Sequence, residues 1–261
     1  MRRVALLFVL ARAVAAPSQA AAPQTLTLPT PLPARTVTLP ILMYHRIDYL
    51  KPSLPAITRR LTVDPRDFAA QMEWLRAHGW HAVTQLQAFD ALEYGTKLPP
   101  KPIMITFDDG YRDVWGKASP VLARLHMPAT AYIITDRISG PDPSFLTWGD
   151  LRKLERRGIA IGSHTVTHTE LTLLDDSEAL AELRDSRAIL ERKLGHPVQW
   201  FAYPAGREDP RVVQLVREAG YVLAVTTQPG AVQAADRPFE LHRYEVLDST
   251  GVTGLAALLG G

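Results

Sequence analysis

Ile103-Met104-Ile105-Thr106-Phe107-Asp108-Asp109-Gly110 decides the fold. Five residues without a charge read as a short buried strand, and two carboxylates stand at its carboxyl end. Similar short runs recur along the chain: Leu39–Tyr44, Trp80–Val83, Thr130–Thr135, Ile159–Gly162, Val198–Tyr203, Tyr221–Thr226 and Leu241–Val246. Helical patterns separate most of them. One opens at Asp64-Pro65, a capping residue with proline at the first helical position, and carries Phe68, Met72 and Leu75 on one face up to Gly79. A second opens at Thr147 with Asp150 three residues on, a capping box. A third runs from about Ser177 to Leu194 and stops at Gly195, and a fourth opens at Asp209-Pro210 and stops at Gly220. Strand and helix in alternation mean parallel strands with crossover helices. Within the length of this chain they predict an α/β fold: a closed or nearly closed (β/α) barrel of seven or eight mostly parallel strands, with an open doubly wound sheet as the alternative. Either way the active site belongs at the carboxyl ends of the strands.

The chain has 261 residues, 46% hydrophobic and 21% charged, which is globular composition and excludes a disordered or polytopic membrane protein. It begins Met1-Arg2-Arg3, runs apolar from Val4 to Ala11, and continues in small residues, the pattern of a signal peptide over residues 1–22. That run is too short to span a bilayer, so no integral membrane domain is expected after cleavage. An exported protein follows: periplasmic, in the cell envelope or extracellular. A Pro/Ala-rich linker is expected over 23–38 and the domain itself over 39–261, with its core motifs in 101–227. The formal net charge is +2, and Arg2, Arg3 and Arg12 fall in the leader, so no basic patch remains to bind nucleic acid. With no cysteine, thiol catalysis and thiolate metal sites are excluded, and a metal would need His, Asp or Glu.

Asp108 and Asp109 are costly to desolvate unless something offsets their charge, and a metal ion would do so. Successive side chains on an extended strand point to opposite sides, so one carboxylate can bind a metal while the other stays free as a base, provided that the backbone turns at Gly110. Taken alone, Asp-Asp-Gly is commoner as a turn. The fifth strand ends Ser163-His164-Thr165-Val166-Thr167-His168, and its imidazoles, spaced i, i+4, face the same way if this stretch is one helical turn. The sixth ends Tyr203-Pro204-Ala205-Gly206, a tight turn that presents backbone N–H groups.

Thr106–Gly110, Ser163–His168 and Phe201–Gly206 together resemble the first three motifs of the polysaccharide deacetylases, the carbohydrate esterases of family four. The resemblance covers about Pro40 to Val246. It implies a distorted (β/α) barrel that hydrolyses N-acetyl groups on an acetylated amino-sugar polysaccharide. It makes Asp108 the general base and Asp109, His164 and His168 the ligands of a divalent metal, zinc in most members and cobalt or nickel in some. The backbone N–H of Ala205 becomes an oxyanion donor. Many members carry Arg and Tyr at the positions of Ala202 and Ala205; the Arg tethers the catalytic Asp. Arg243 on the last strand is the candidate replacement. Ile41-Leu42-Met43-Tyr44-His45-Arg46 is similar to the Tyr-His start of the poly-N-acetylglucosamine deacetylase branch, which makes His45 the candidate general acid and His242 the second choice. Tyr111 and Trp115, just after Asp109-Gly110, are expected in the substrate groove. The loop from Asp136 to Phe145 could line it too, and Trp148 is expected in packing. An O-acetyl esterase on the same metal site and a non-catalytic carbohydrate-binding relative are the alternatives.

Overall fold

The computed structural model describes residues 35–260; the expected signal peptide and most of the expected linker lie outside them. Its strands are β1 (Thr36–Thr38), β2 (Ile41–Tyr44), β3 (Arg46–Ile47), β4 (Thr62–Val63), β5 (His81–Ala82), β6 (Pro102–Phe107), β7 (Ala129–Ile133), β8 (Ile159–Ser163), β9 (Trp200–Ala202), β10 (Leu223–Val225), β11 (Val232–Ala234) and β12 (Tyr244–Glu245). Its helices are α1 (Ala56–Arg60), α2 (Pro65–Ala77), α3 (Gln85–Tyr94), α4 (Ser119–Leu125), α5 (Trp148–Glu155), α6 (Asp176–Leu194), α7 (Pro210–Glu218) and α8 (Gly251–Leu258).

All eight expected strands join one sheet, in the order β10-β9-β8-β7-β6-β2-β12, with β5 paired to the start of β6. Every pairing in it is parallel. The last segment meets both ends: Leu241 bridges to Val225 of β10, and Tyr244–Glu245 pair with Leu42 and Met43 of β2. The sheet therefore curls into a distorted (β/α) barrel rather than staying open. Side chains alternate across it. Met104, with Ile41, Tyr132, Ala202, Leu223, Val225 and Leu241, fills the interior, whereas Ile103, Ile105 and Phe107 pack outward with Phe68, Met72 and Leu75 of α2. A second outer cluster joins Phe201 and Tyr203 to Leu183 of α6 and Val212 and Val216 of α7.

The helix signals act as their chemistry demands. Asp64 accepts from the Arg66 N–H with Pro65 in the first turn, Thr147 and Asp150 form a capping box, and Asp209 caps α7 from the Val212 N–H. Gly195 closes α6 at φ +86°, where a residue with a side chain is strained. The structure departs from the sequence reading at 36–38. That stretch lies in the expected linker, yet it is strand β1, paired antiparallel with β11. Arg35 anchors it by donating to the carbonyls of Leu92 and Glu93 at the end of α3.

Candidate active site

The backbone turns at Asp109 (φ +73°) and again at Gly110 (φ +82°), one residue earlier than expected. Asp108 still extends the ladder, donating its N–H to the Tyr44 carbonyl at 2.9 Å, and so its side chain follows Thr106 into the barrel. There it meets Arg243. The guanidinium donates through Nη1 to Oδ1 at 2.8 Å and through Nη2 to Oδ2 at 2.7 Å, a bidentate pair. Arg243 also donates through Nε to the Thr226 carbonyl at 2.7 Å and through Nη1 to Thr106 Oγ1 at 3.2 Å. Both partners are buried. Burial pushes the Asp108 carboxyl up. The Arg243 charge and its hydrogen bonds, joined by His164 and His45, outweigh that and hold it at about 2.

The positive φ sends Asp109 the other way. Its Oδ1 lies 3.6 Å from His164 Nε2 and 3.7 Å from His168 Nε2. The histidine stretch is not a helical turn. It leaves β8 as a loop with Thr165 at φ +67° and His168 at φ +71°, so the i, i+4 argument gave the right meeting by the wrong geometry. Glu182 of α6 pins this loop, accepting from the N–H groups of Val166 (2.8 Å) and Thr167 (3.0 Å) and from the Thr167 hydroxyl (2.9 Å). The Thr165 hydroxyl accepts from the His168 N–H at 2.9 Å. Nothing in the sequence marked Glu182, because it comes from a helix exposed in its periodic pattern.

These three side chains fit a metal ion. Burial, with the neighbouring His168, holds the His164 ring below the ordinary histidine range despite the carboxylates, which favours the neutral imidazole. Its Nδ1 lies 2.7 Å from the Ala202 carbonyl. A proton donated there leaves the Nε2 lone pair facing Asp109, the orientation by which a second partner directs a ligating histidine. One carboxylate oxygen and two imidazole nitrogens lie within 4.8 Å of one another, a donor set suited to zinc, cobalt or nickel.

Two cavities open on this cluster, and both are lined by Asp109 and His168. The larger, of about 520 Å³, is also lined by His45, Asp108, His164, Tyr203, Ala205, Thr227 and Glu245. His45 is there with its Nδ1 buried and lacking a hydrogen-bond partner among the described residues. Ala205 sits in a left-handed conformation (φ +52°) in the Pro204–Gly206 turn. His242 lines neither cavity; its backbone N–H donates to Gln233. The second cavity, of about 460 Å³, holds Tyr111 stacked on Phe145 at 4.9 Å, with Arg46, Arg137, Asp142 and Ser144 around them. The expectation for Trp115 is corrected. It packs against the outer core, under the guanidinium of Arg157 at 3.9 Å, and lines neither cavity. Trp115 sits within a π-helical stretch at Val114–Ala118. Trp148 is in packing, as expected.

A parallel barrel with a buried carboxylate beside a His-His-Asp cluster at its carboxyl rim defines a hydrolase with a candidate metal centre. The polysaccharide deacetylase family model matches residues 95–224. YxkH of Bacillus subtilis, whose name carries the same family description, is 34% identical over 218 residues, 84% of this chain and 74% of that protein. Poly-beta-1,6-N-acetyl-D-glucosamine N-deacetylase of Staphylococcus epidermidis is 26% identical over 73% of each chain. Among solved structures, the Streptococcus pyogenes deacetylase PplD in complex with acetate superposes at a TM-score of 0.80, with 26% identity and coverage of 86% of this chain and 99% of that one. IcaB from Ammonifex degensii superposes at 0.75, with 26% identity and coverage of 86% and 97%. The chain belongs to the polysaccharide deacetylase family, and with it to the hydrolases of carbon–nitrogen bonds other than peptide bonds.

Proposed function

We propose that the protein is an exported, metal-dependent hydrolase that removes N-acetyl groups from an N-acetylglucosamine-containing polysaccharide of the exopolysaccharide, peptidoglycan or chitin type. One observation carries the reading: Asp108, locked on Arg243, and the Asp109-His164-His168 cluster share the wall of one cavity. The poly-beta-1,6-N-acetyl-D-glucosamine N-deacetylase among the relatives supports the substrate class. The signal-peptide pattern over residues 1–22 supports export, and among the described residues no helix is long and apolar enough to cross a membrane.

Asp109, His164 and His168 would hold the metal, with zinc the preferred ion. Bound there, a divalent cation would supply Lewis acidity to the acetyl carbonyl and lower the pKa of water. Asp108 accepts the proton of the attacking water as general base. Arg243 keeps that carboxylate ionised and aimed. The Ala205 N–H donates to the carbonyl oxygen as it gains charge. His45 gives a proton to the amine nitrogen as the carbon–nitrogen bond breaks, leaving acetate and a free amino group. Tyr111, stacked on Phe145 and carrying the Arg46 guanidinium over its ring at 4.7 Å, forms part of the wall of the adjoining cavity and meets the polymer there.

The test is acetate release by the zinc-loaded protein from β-1,6-linked N-acetylglucosamine oligomers, chitin oligomers and peptidoglycan. The expected result is turnover of at least one, lowered by about 10²- to 10⁴-fold in Asp108→Asn. No acetate from any of them overturns the reading.

A further inference from the structure

We infer that Tyr132 is a positioning residue for this reaction: its ring props the Arg243 guanidinium from inside the barrel and so fixes the aim of the Asp108 carboxylate. The inference rests on the reading of Asp108 as the general base.

Tyr132 lies on β7, fully buried in the barrel interior. The Arg243 guanidinium carbon stands 5.8 Å from the centre of its ring. The ring is fixed at its hydroxyl and along one edge. Gln85, at the start of α3, donates its Nε2 to the phenol oxygen at 2.7 Å. On the other side, the ring occupies the space of a missing side chain: a Cβ at Gly162 would lie 2.6 and 2.7 Å from Tyr132 Cδ1 and Cε1, and 3.0 Å from the Trp200 carbonyl. Gly162 is at ordinary φ, so the closeness of the ring, and not the backbone, is what requires glycine there.

The arrangement matters because an Asp–Arg pair can swing as a unit. Thr226 and Thr106 hold the guanidinium at its polar edge. Tyr132 holds it from the barrel side by cation–π attraction, with the ring centre 5.8 Å from the guanidinium carbon. Tyr132 lines neither cavity, so it acts through Arg243 and not on the substrate. A general base must lie within hydrogen-bond reach of the proton that it takes, and a misplacement of about 1 Å can cost about 100-fold in rate.

The experiment compares Tyr132→Leu and Tyr132→Phe in the zinc-loaded full chain. It reads kcat and KM for acetate release, zinc affinity, and the solvent-exchange rate of the Arg243 Nε–H by NMR. In Tyr132→Leu, kcat falls by about 100-fold at unchanged KM and zinc affinity, and the Arg243 proton exchanges faster. Tyr132→Phe keeps the ring and recovers most of kcat. Wild-type kcat in a folded, zinc-binding Tyr132→Leu overturns the inference, as does an equal loss in both variants. If Tyr132→Leu does not fold, Gln85→Leu frees the ring without removing it: a smaller fall in kcat at constant KM supports the inference, and no change overturns it. Asp108→Asn separates the two failures. Wild-type kcat there sinks the reading of Asp108 as base, and the Arg243 exchange rate still decides whether Tyr132 holds the guanidinium.

Discussion

The pocket around Asp108 and the cluster around Asp109 lie on either side of one peptide unit, and they treat negative charge in different ways. Asp108 is buried at the wall of the larger cavity alone, and its charge is matched by Arg243 from the same chain. Asp109 faces two imidazoles across 3.6 and 3.7 Å, and this cluster opens on both cavities. The first region is complete as the chain folds; the second gains a full positive charge only from an ion. Base and metal ligand can thus be consecutive residues, because the left-handed backbone at Asp109 parts their environments.

The sharpest way to break the comparison is to remove the internal cation. Arg243→Met leaves Asp108 buried and uncompensated, and should lower the unfolding free energy by about 3–5 kcal/mol, read from urea melts. A near-neutral result would mean that the Asp108 charge does not depend on Arg243. The open region should respond to what is added instead. Zinc at about 100 times its Kd should stabilise the folded protein by about 2.7 kcal/mol, read as a rise in Tm that a chelator reverses and His168→Ala abolishes. Acid tests the buried side again. The Asp108 carboxyl titrates at about 2 in the folded protein against an ordinary 3.8. Its contribution, about 2 kcal/mol, is therefore present above pH ~4 and lost as pH falls through about 2. Asp108→Asn should lack that loss in acid melts. The smallest effect belongs to the groove: Tyr111→Ala should raise KM by about tenfold through loss of an aromatic contact, whereas Trp115→Phe leaves KM unchanged.

Much of this arrangement was legible in the chain. Uncharged runs ending in Asp-Asp-Gly and Ser-His-Thr-Val-Thr-His placed chemistry at strand ends, because parallel strands bring their carboxyl termini to one rim. Capping chemistry placed α2, α5, α6 and α7, because those signals are local. Thr36–Thr38 was not legible as a strand, since its partner Val232–Ala234 lies near the other end of the chain and its own composition is that of a linker. Trp115 was misplaced because proximity in sequence to Asp109 says nothing about the π-helical stretch in which it sits, packed against the outer core. Tyr132 and Gln85 left no signal, as a buried tyrosine reads as core wherever it falls.

The sequence by itself determined the parallel α/β sheet, the rim that carries the chemistry, and the residue types that meet there. Alternating strands and helices leave few ways to bury both faces of a sheet, and buried charges need partners. Only the tertiary structure decided which partner each charge received. Arg243 reaches Asp108 across 135 residues because β12 pairs with β2, the neighbour of β6, and so closes the last strand onto the sheet beside it. Asp109 meets the histidines through two left-handed turns that no spacing rule contains. Such contacts depend on barrel closure and on single backbone angles, and both are set by packing of the whole.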